Sequence, residues 1–202
     1  LYDSFIEDFF SRYEKYCQNT PMIFFGTPNV EKTEKYFQHM IQSHNISGSY
    51  LPQDDVSFFD RLKNIFQHIS EVYGPETIIN LTGTDIPDFP FEQISLSSKN
   101  LLNTQDIAIG PDSDGGFYYL RSQAAHFNIF DIGTNFESSE VFERITQKIL
   151  QLHLSCHKVL NWSDIDVFED LQKCTQRSSS FEIPNTYRVF EELALKSKQA
   201  EK

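Results

Sequence analysis

Aspartates stand at the places where short apolar runs of this chain give way to turns. Ile78-Ile79-Asn80-Leu81 leads into Gly83-Thr84-Asp85-Ile86-Pro87-Asp88, Ile107-Ala108-Ile109 into Gly110-Pro111-Asp112-Ser113-Asp114-Gly115-Gly116, and His157-Lys158-Val159-Leu160 towards Asp164-Ile165-Asp166. An open α/β sheet presents such residues in the crevice at its strand ends, so carboxylates distant in sequence can meet. Oxygen donors of this kind suit Mg²⁺ or Mn²⁺, which in a nucleotide site takes one or two carboxylates together with waters and substrate phosphates. Asp85 and Asp166 fit that requirement, and Asp164 is a reserve ligand or a residue that orients the site. Each also has a structural reading. Asp85 can bond the backbone of its own turn, and one of Asp164 and Asp166 is expected to cap the helix that follows.

Asp114 precedes two glycines, and its carboxylate could hydrogen-bond an acceptor hydroxyl or take its proton as general base. Gly115 and Gly116 permit a close approach of ligand to main chain, as do Gly83 and Thr84 at the other turn; a tight turn into an antiparallel strand explains the Gly-Gly pair equally well. Thr27, after Met22-Ile23-Phe24-Phe25-Gly26, could lie beside a base or ribose, although an ordinary strand-to-helix turn accounts for it. Arg121 could meet a phosphate or make a surface ion pair. His153, Cys156 and His157 have a soft-metal spacing without a nearby fourth ligand, so zinc is not expected.

These motifs resemble a known family. Gly-Thr-Asp-Ile-Pro-Asp, Gly-Pro-Asp-Ser-Asp-Gly-Gly-Phe-Tyr and Asp164-Ile165-Asp166-Val167-Phe168-Glu169-Asp170-Leu171 are together similar to the GT-A-like radical-SAM/selenodomain-associated transferases, over about Leu1 to Leu171. The resemblance implies a three-layer α/β/α domain of nucleotide-diphospho-sugar transferase type, with a mostly parallel sheet and one antiparallel strand. It implies metal positions at Asp85 and Asp166, and it places Gln53 and Arg61 near the site. The implied reaction is metal-dependent glycosyl transfer from a nucleotide-diphospho-sugar to a small-molecule acceptor. Nucleotidyl transfer to a sugar phosphate or similar small molecule is the alternative, and a non-catalytic domain on the same scaffold is another. Val167-Phe168 replaces the Thr-Pro common in relatives, and Ile132 stands where they carry tryptophan. Relatives also carry, upstream, a first strand and a basic glycine-containing nucleotide loop that no residue here matches; the natural protein is expected to extend above Leu1.

Bulk properties narrow the partners. The 202 residues suit one domain, residues 1–202, with 186–202 as a C-terminal helix and tail. A net charge of −12 disfavours nucleic acid, yet a divalent cation would let an acidic protein hold a nucleotide diphosphate. Cys17, Cys156 and Cys174 do not form a disulfide framework, and the sequence reads as cytoplasmic. No apolar run reaches the ~20 residues of a membrane span.

The elements that must position the acids follow from periodicity. Apolar residues at helical spacing predict helices over Leu1–Gln18, Asn29–Gln42 with Asn29 as N-cap, Phe58–Tyr73, Phe91–Leu102, from Gly133 to about Leu154, and Thr186–Lys202 with a fraying polar end. Strands are expected at Met22–Phe25, Tyr50–Leu51, Ile78–Leu81, Ile107–Ile109, Phe117–Leu120 as an antiparallel return, and His157–Leu160.

Overall fold

The computed structural model describes residues 1–17, 20–26, 30–92, 94–95, 107–133 and 137–200, without the side chains of 197–200. Its elements are α1 (Tyr2–Tyr16), β1 (Met22–Gly26), α2 (Glu31–Ser43), β2 (Gly48–Pro52), α3 (Phe58–Tyr73), β3 (Ile78–Thr82), β4 (Ile107–Pro111), β5 (Phe117–Gln123), α4 (Val141–Gln151), β6 (Cys156–Lys158), α5 (Phe168–Arg177) and α6 (Pro184–Ala200). Four strands pair in the order β3-β5-β4-β6, with β5 antiparallel to both neighbours and β4 parallel to β6. The antiparallel return expected at Phe117 is therefore a central strand. The remaining strands, β1 and β2, form a separate parallel pair.

Alternation along the strands assigns the layers. Ala108 and Tyr119 join Phe9, Phe10 and Met40 in a core under α1 and α2, whereas Ile107, Ile109 and Leu120 join Phe66, Ile145 and Ile149 in a core under α3 and α4. The parallel pair follows the same rule, since Phe24 enters the first core and Phe25 packs against the second. Both sheets thus occupy one middle layer, as a period of two requires. The edges of β1 and β3 that face away from their partners carry no other strand among the described residues. A cleft of about 1570 Å³ is lined by Ile23 and Phe25 of β1 and by Ile79 and Leu81 of β3.

A third apolar cluster, of Phe5, Ile165, Leu171, Cys174 and Ile183, docks α5 and α6 against α1. Asp8, fully buried on α1, accepts the N–H groups of Asn185 (3.2 Å) and Thr186 (2.7 Å), satisfying donors of the first turn of α6. The three cysteines are free, and no helix among the described residues is long and apolar enough to cross a membrane.

Several boundaries differ from expectation. The N-cap of α2 is Val30, in extended backbone and without a side-chain cap; Asn29 lies outside the described residues. α4 starts at Val141 after a 3₁₀ turn over Ser138–Glu140, and Gly133, with a φ of 83°, is in a left-handed conformation that a helix cannot contain. β6 runs from Cys156 to Lys158, although Val159 still donates to the carbonyl of Ile109 at 3.0 Å. The Phe91 helix is present at 91, 92, 94 and 95, and its expected remainder lies outside the described residues. α6 begins at Pro184, whose fixed φ suits the first helical position, and it packs Tyr187, Phe190 and Leu193 on the third cluster.

Phe66 is fully buried and meets Phe130 edge-on at 5.0 Å between ring centroids. Phe66→Ala should therefore lower the unfolding free energy by about 3–5 kcal/mol in urea. Phe181→Ala, at a ring 96% exposed, should change it by less than about 0.5 kcal/mol.

Candidate functional site

The segment after β3 is shaped by its glycine. A Cβ at Gly83 would collide with the carboxylate of Asp85, so glycine lets that side chain fold back over the turn. Thr82 Oγ1 donates to the carbonyl of Tyr118 at 3.0 Å and holds the strand end to β5, while the Thr84 hydroxyl is engaged by the Tyr2 hydroxyl at 2.6 Å. The backbone carbonyl of Asp85 accepts the N–H of Ile165 at 3.2 Å. This bond brings the first and third acidic motifs side by side.

The third motif is oriented by Ile165. Its side chain is buried in the cluster with Phe5 and Leu171, whereas Asp164 before it is half-buried and Asp166 after it, at a bend, is exposed. Neither acid caps α5, contrary to expectation: the N-cap is Val167, whose N–H donates to Asp170 Oδ2 at 3.3 Å. The backbone at Val167 is already extended, so the cap falls one residue beyond the acids and leaves both carboxylates free of that duty.

The second motif closes as a turn in which Asp112 donates its N–H to the Gly116 carbonyl at 3.0 Å and Asp114 Oδ1 accepts the Gly116 N–H at 2.9 Å. Gly115 has a φ of 98°, and a Cβ there would collide with the backbone of Ser139. Its conformational freedom serves packing against the turn before α4. Asp112, absent from the sequence-derived set of site residues, is buried and accepts the N–H of Asp164 at 3.2 Å through Oδ2. Its signal in the sequence is the Asp112-Ser113-Asp114 step, which sets a second acid beside Asp114.

The charges form one field. Burial pushes the Asp164 carboxyl up to about 7, and Asp112, Asp85, Asp166 and Asp114 add to the effect in that order. Burial also raises Asp85; its own backbone hydrogen bond opposes this, and Asp166 and Asp112 reinforce it. Repulsion from neighbouring carboxylates thus adds to burial in disfavouring the charged forms of Asp164 and Asp85, and a cation among the acids would reverse this.

Two cleft regions meet here. Gly83, Thr84, Asp85 and Asp164 line the large cleft together with Arg61 and Gln53. Gln53 Nε2 donates to the carbonyl of Phe25 at 2.7 Å and receives Arg61 Nη1 on Oε1 at 3.1 Å, leaving Arg61 Nε buried without a partner. A second region of about 780 Å³ is lined by Asp112, Asp114 and Gly116. Asp164, Phe58 and Phe117 border both regions.

Not every expected residue belongs. Arg121 lies in the middle of β5, opposite Asn80 and Ala108, and borders neither region because the strand carries it away from the Asp114 turn; Gly115 and the exposed Asp166 border neither region either. Thr27 lies outside the described residues. No group of three or more His, Cys, Asp or Glu side chains among the described residues is poised to hold a metal ion. That applies to His153, Cys156 and His157, and it means the aspartates are not a closed cage. Hard oxygen donors under mutual repulsion nevertheless fit Mg²⁺ or Mn²⁺, which needs only one or two of them beside phosphate.

The mixed sheet between two helical layers, with aspartates after its strands, is a fold that this chain shares with a nucleotide-diphospho-sugar transferase-like structure. A solved structure from Desulfovibrio desulfuricans G20, described as a "putative nucleotide-diphospho-sugar transferase", shares it with a TM-score of 0.69 and 22% identity over 96% of this chain and 84% of that one. A cytidylyltransferase from Leptospira borgpetersenii serovar Hardjo-bovis (strain JB197) gives a TM-score of 0.56 and 12% identity over 94% and 84% of the respective chains. The chain belongs to the family described as an uncharacterized protein conserved in bacteria (DUF2064), whose model matches residues 17–146. Asp85, Asp112 and Asp114 lie within that match, while Asp164 and Asp166 lie beyond it. No functionally curated protein matches the chain.

The raised Asp164 fixes a pH dependence. Its folded-state value of about 7 lies above the ordinary 3.8, so below pH 4 both folded and unfolded chains hold the proton and nothing is lost. As pH rises through 4 to 7 the unfolded chain ionises first, and stability declines. In EDTA, Asp164→Asn should melt at a higher temperature than wild type at pH 8, and the two melting temperatures should converge towards pH 4.

Proposed function

We propose that this chain is a metal-dependent transferase acting on a nucleotide-activated small-molecule donor, with glycosyl transfer from a nucleotide-diphospho-sugar as its reaction. The observation that carries this reading is the position of Asp164 where the two cleft regions meet, beside Asp85 and within the field of Asp166. The donor diphosphate would lie in the large cleft against Gly83 to Asp85, with Arg61 supplying positive charge. Asp85 and Asp166 would hold Mg²⁺ or Mn²⁺, with Asp164 in reserve, and the cation would neutralise charge on the departing nucleoside diphosphate. Asp114, in the second region, would position the acceptor hydroxyl or accept its proton as that oxygen bonds to the anomeric carbon and the bond from this carbon to the diphosphate breaks. Both regions border the same carboxylate, so the acceptor oxygen and the reacting carbon can be held in contact.

Likeness in fold to a cytidylyltransferase supports a second reading, nucleotidyl transfer to a sugar phosphate or similar small molecule. There the leaving group is pyrophosphate, and product analysis separates the two.

Thermal unfolding against nucleoside diphosphates, triphosphates and nucleotide sugars, with and without Mn²⁺, tests donor binding. A ligand at 100 times its Kd adds about 2.7 kcal/mol, or roughly 5–10 °C for a chain of this size. The shift should require Mn²⁺ and disappear in Asp85→Ala and Asp166→Ala. A nucleotide shift that is the same in EDTA would refute the metal assignment, and no shift with any nucleotide would refute the donor.

A further inference from the structure

We propose that Arg177 is a positioning residue whose single guanidinium, through Asp88 and Ser163, holds the loop bearing Asp85 and the loop bearing Asp164 and Asp166 in one arrangement. The inference rests on the transferase reading for its significance and on geometry for its substance. Asp88 is the third residue after Asp85 and is 1% exposed. Its Oδ2 accepts Arg177 Nε at 2.6 Å and the Ser178 hydroxyl at 3.1 Å, and its Oδ1 accepts Arg177 Nη2 at 3.1 Å and Trp162 Nε1 at 3.3 Å. A two-pronged pairing of this kind fixes direction as well as distance.

The same guanidinium is also spent on the other loop. Arg177 Nη1 donates to Ser163 Oγ at 2.6 Å and Nη2 donates to the Ser163 carbonyl at 2.8 Å. Its flat face covers the Trp162 ring at 4.6 Å from the centroid. Ser163 immediately precedes Asp164, so the cation grips a residue next to one acid and a residue three beyond another. The direct link between the loops is Ile165 N–H to Asp85 O at 3.2 Å, two residues beyond Ser163 and three before Asp88.

The acids themselves supply the reason for a clamp. Asp85, Asp164 and Asp166 repel one another, and Arg177 donates to none of these carboxylates in the bonds above. It therefore restrains the loops without a bond to these three acids, although its charge also acts on Asp112, and it leaves their carboxylates available to an added cation. Residues that orient metal ligands in this indirect way typically change affinity about 10–100-fold when lost.

A buried ion pair with no positioning role can often be exchanged for apolar groups of similar size without harm. The test is therefore Asp88→Leu/Arg177→Met in one chain, with Arg177→Lys as a second variant that keeps the charge but not the fork, and Ile149→Ala as a destabilised control in the core under α4. Two quantities are read on the full chain: hydrogen exchange at the Ile165 amide in EDTA, relative to core amides of the same variant, and Mn²⁺ affinity from the free-Mn²⁺ EPR signal. Selective loss of Ile165 protection in the double variant, or in Arg177→Lys if the double variant does not fold, is expected. Mn²⁺ binding should weaken about 10–100-fold in the same variant and stay unchanged in Ile149→Ala. Retained Ile165 protection in the folded variants would overturn the clamp. Wild type that binds no Mn²⁺ would refute the metal assignment, while the Ile165 exchange would still decide the clamp.

Discussion

Burial of Asp85 and Asp164, reinforced by repulsion from the neighbouring aspartates, disfavours the charged form of both carboxyls and so opposes folding where they ionise. The surrounding architecture can be understood as the means of tolerating that repulsion. Ile165 anchors the third motif in an apolar cluster, Asp112 accepts the N–H of Asp164, and the Asp85 carbonyl accepts that of Ile165. Burial does the rest by keeping Asp164 protonated up to about neutral pH. The site is thus assembled at the expense of stability, as functional sites commonly are.

The middle layer has a different character. β5 lies antiparallel between β3 and β4, so the two strands that deliver Asp85 and Asp112 are bridged by the strand that starts just after Asp114. The turn at Asp114 is thereby fixed relative to both. β1 and β2, by contrast, connect to the other four strands through the helical layers, with Phe10, Phe24, Phe37 and Tyr50 forming a near-parallel column of rings at successive centroid distances of 4.6, 4.9 and 5.9 Å. These rings tie the β1–β2 ladder to α1 and α2.

Much of this was legible in the sequence, because period-two and period-3.6 patterns are local. The runs at Ile78, Ile107 and Phe117 became strands, the antiparallel return was correctly placed, and the aspartates after two of those runs reached two cleft regions that share Asp164. What the sequence hid depends on long-range contacts. The split between β1-β2 and the larger sheet is a matter of which edges bond, and nothing in Met22 to Gly26 encodes its neighbour. Val30 and Val167 took cap positions that propensity would give to asparagine or aspartate, since backbone geometry set by packing outweighs about 1 kcal/mol of cap preference. Arg121 read as a phosphate ligand because Asp114 is close in sequence, but a strand rises about 3.3 Å per residue and carries it away. Asp88 stood in the Gly-Thr-Asp-Ile-Pro-Asp motif without a role of its own, and Ser163 and Arg177 carried no local signal; their meaning arises only when three distant segments meet.

Trp162 is the chain's one tryptophan, and the fold places it with its indole N–H on Asp88 and the Arg177 guanidinium across its face. A lone indole held between a cation and a carboxylate has an emission energy set by their field. The junction of the two acid-bearing loops is therefore optically labelled by the native sequence. Light absorbed by the nine tyrosines and passed to that ring would report on this one place, so the colour and polarisation of the protein's own fluorescence are properties of its candidate site.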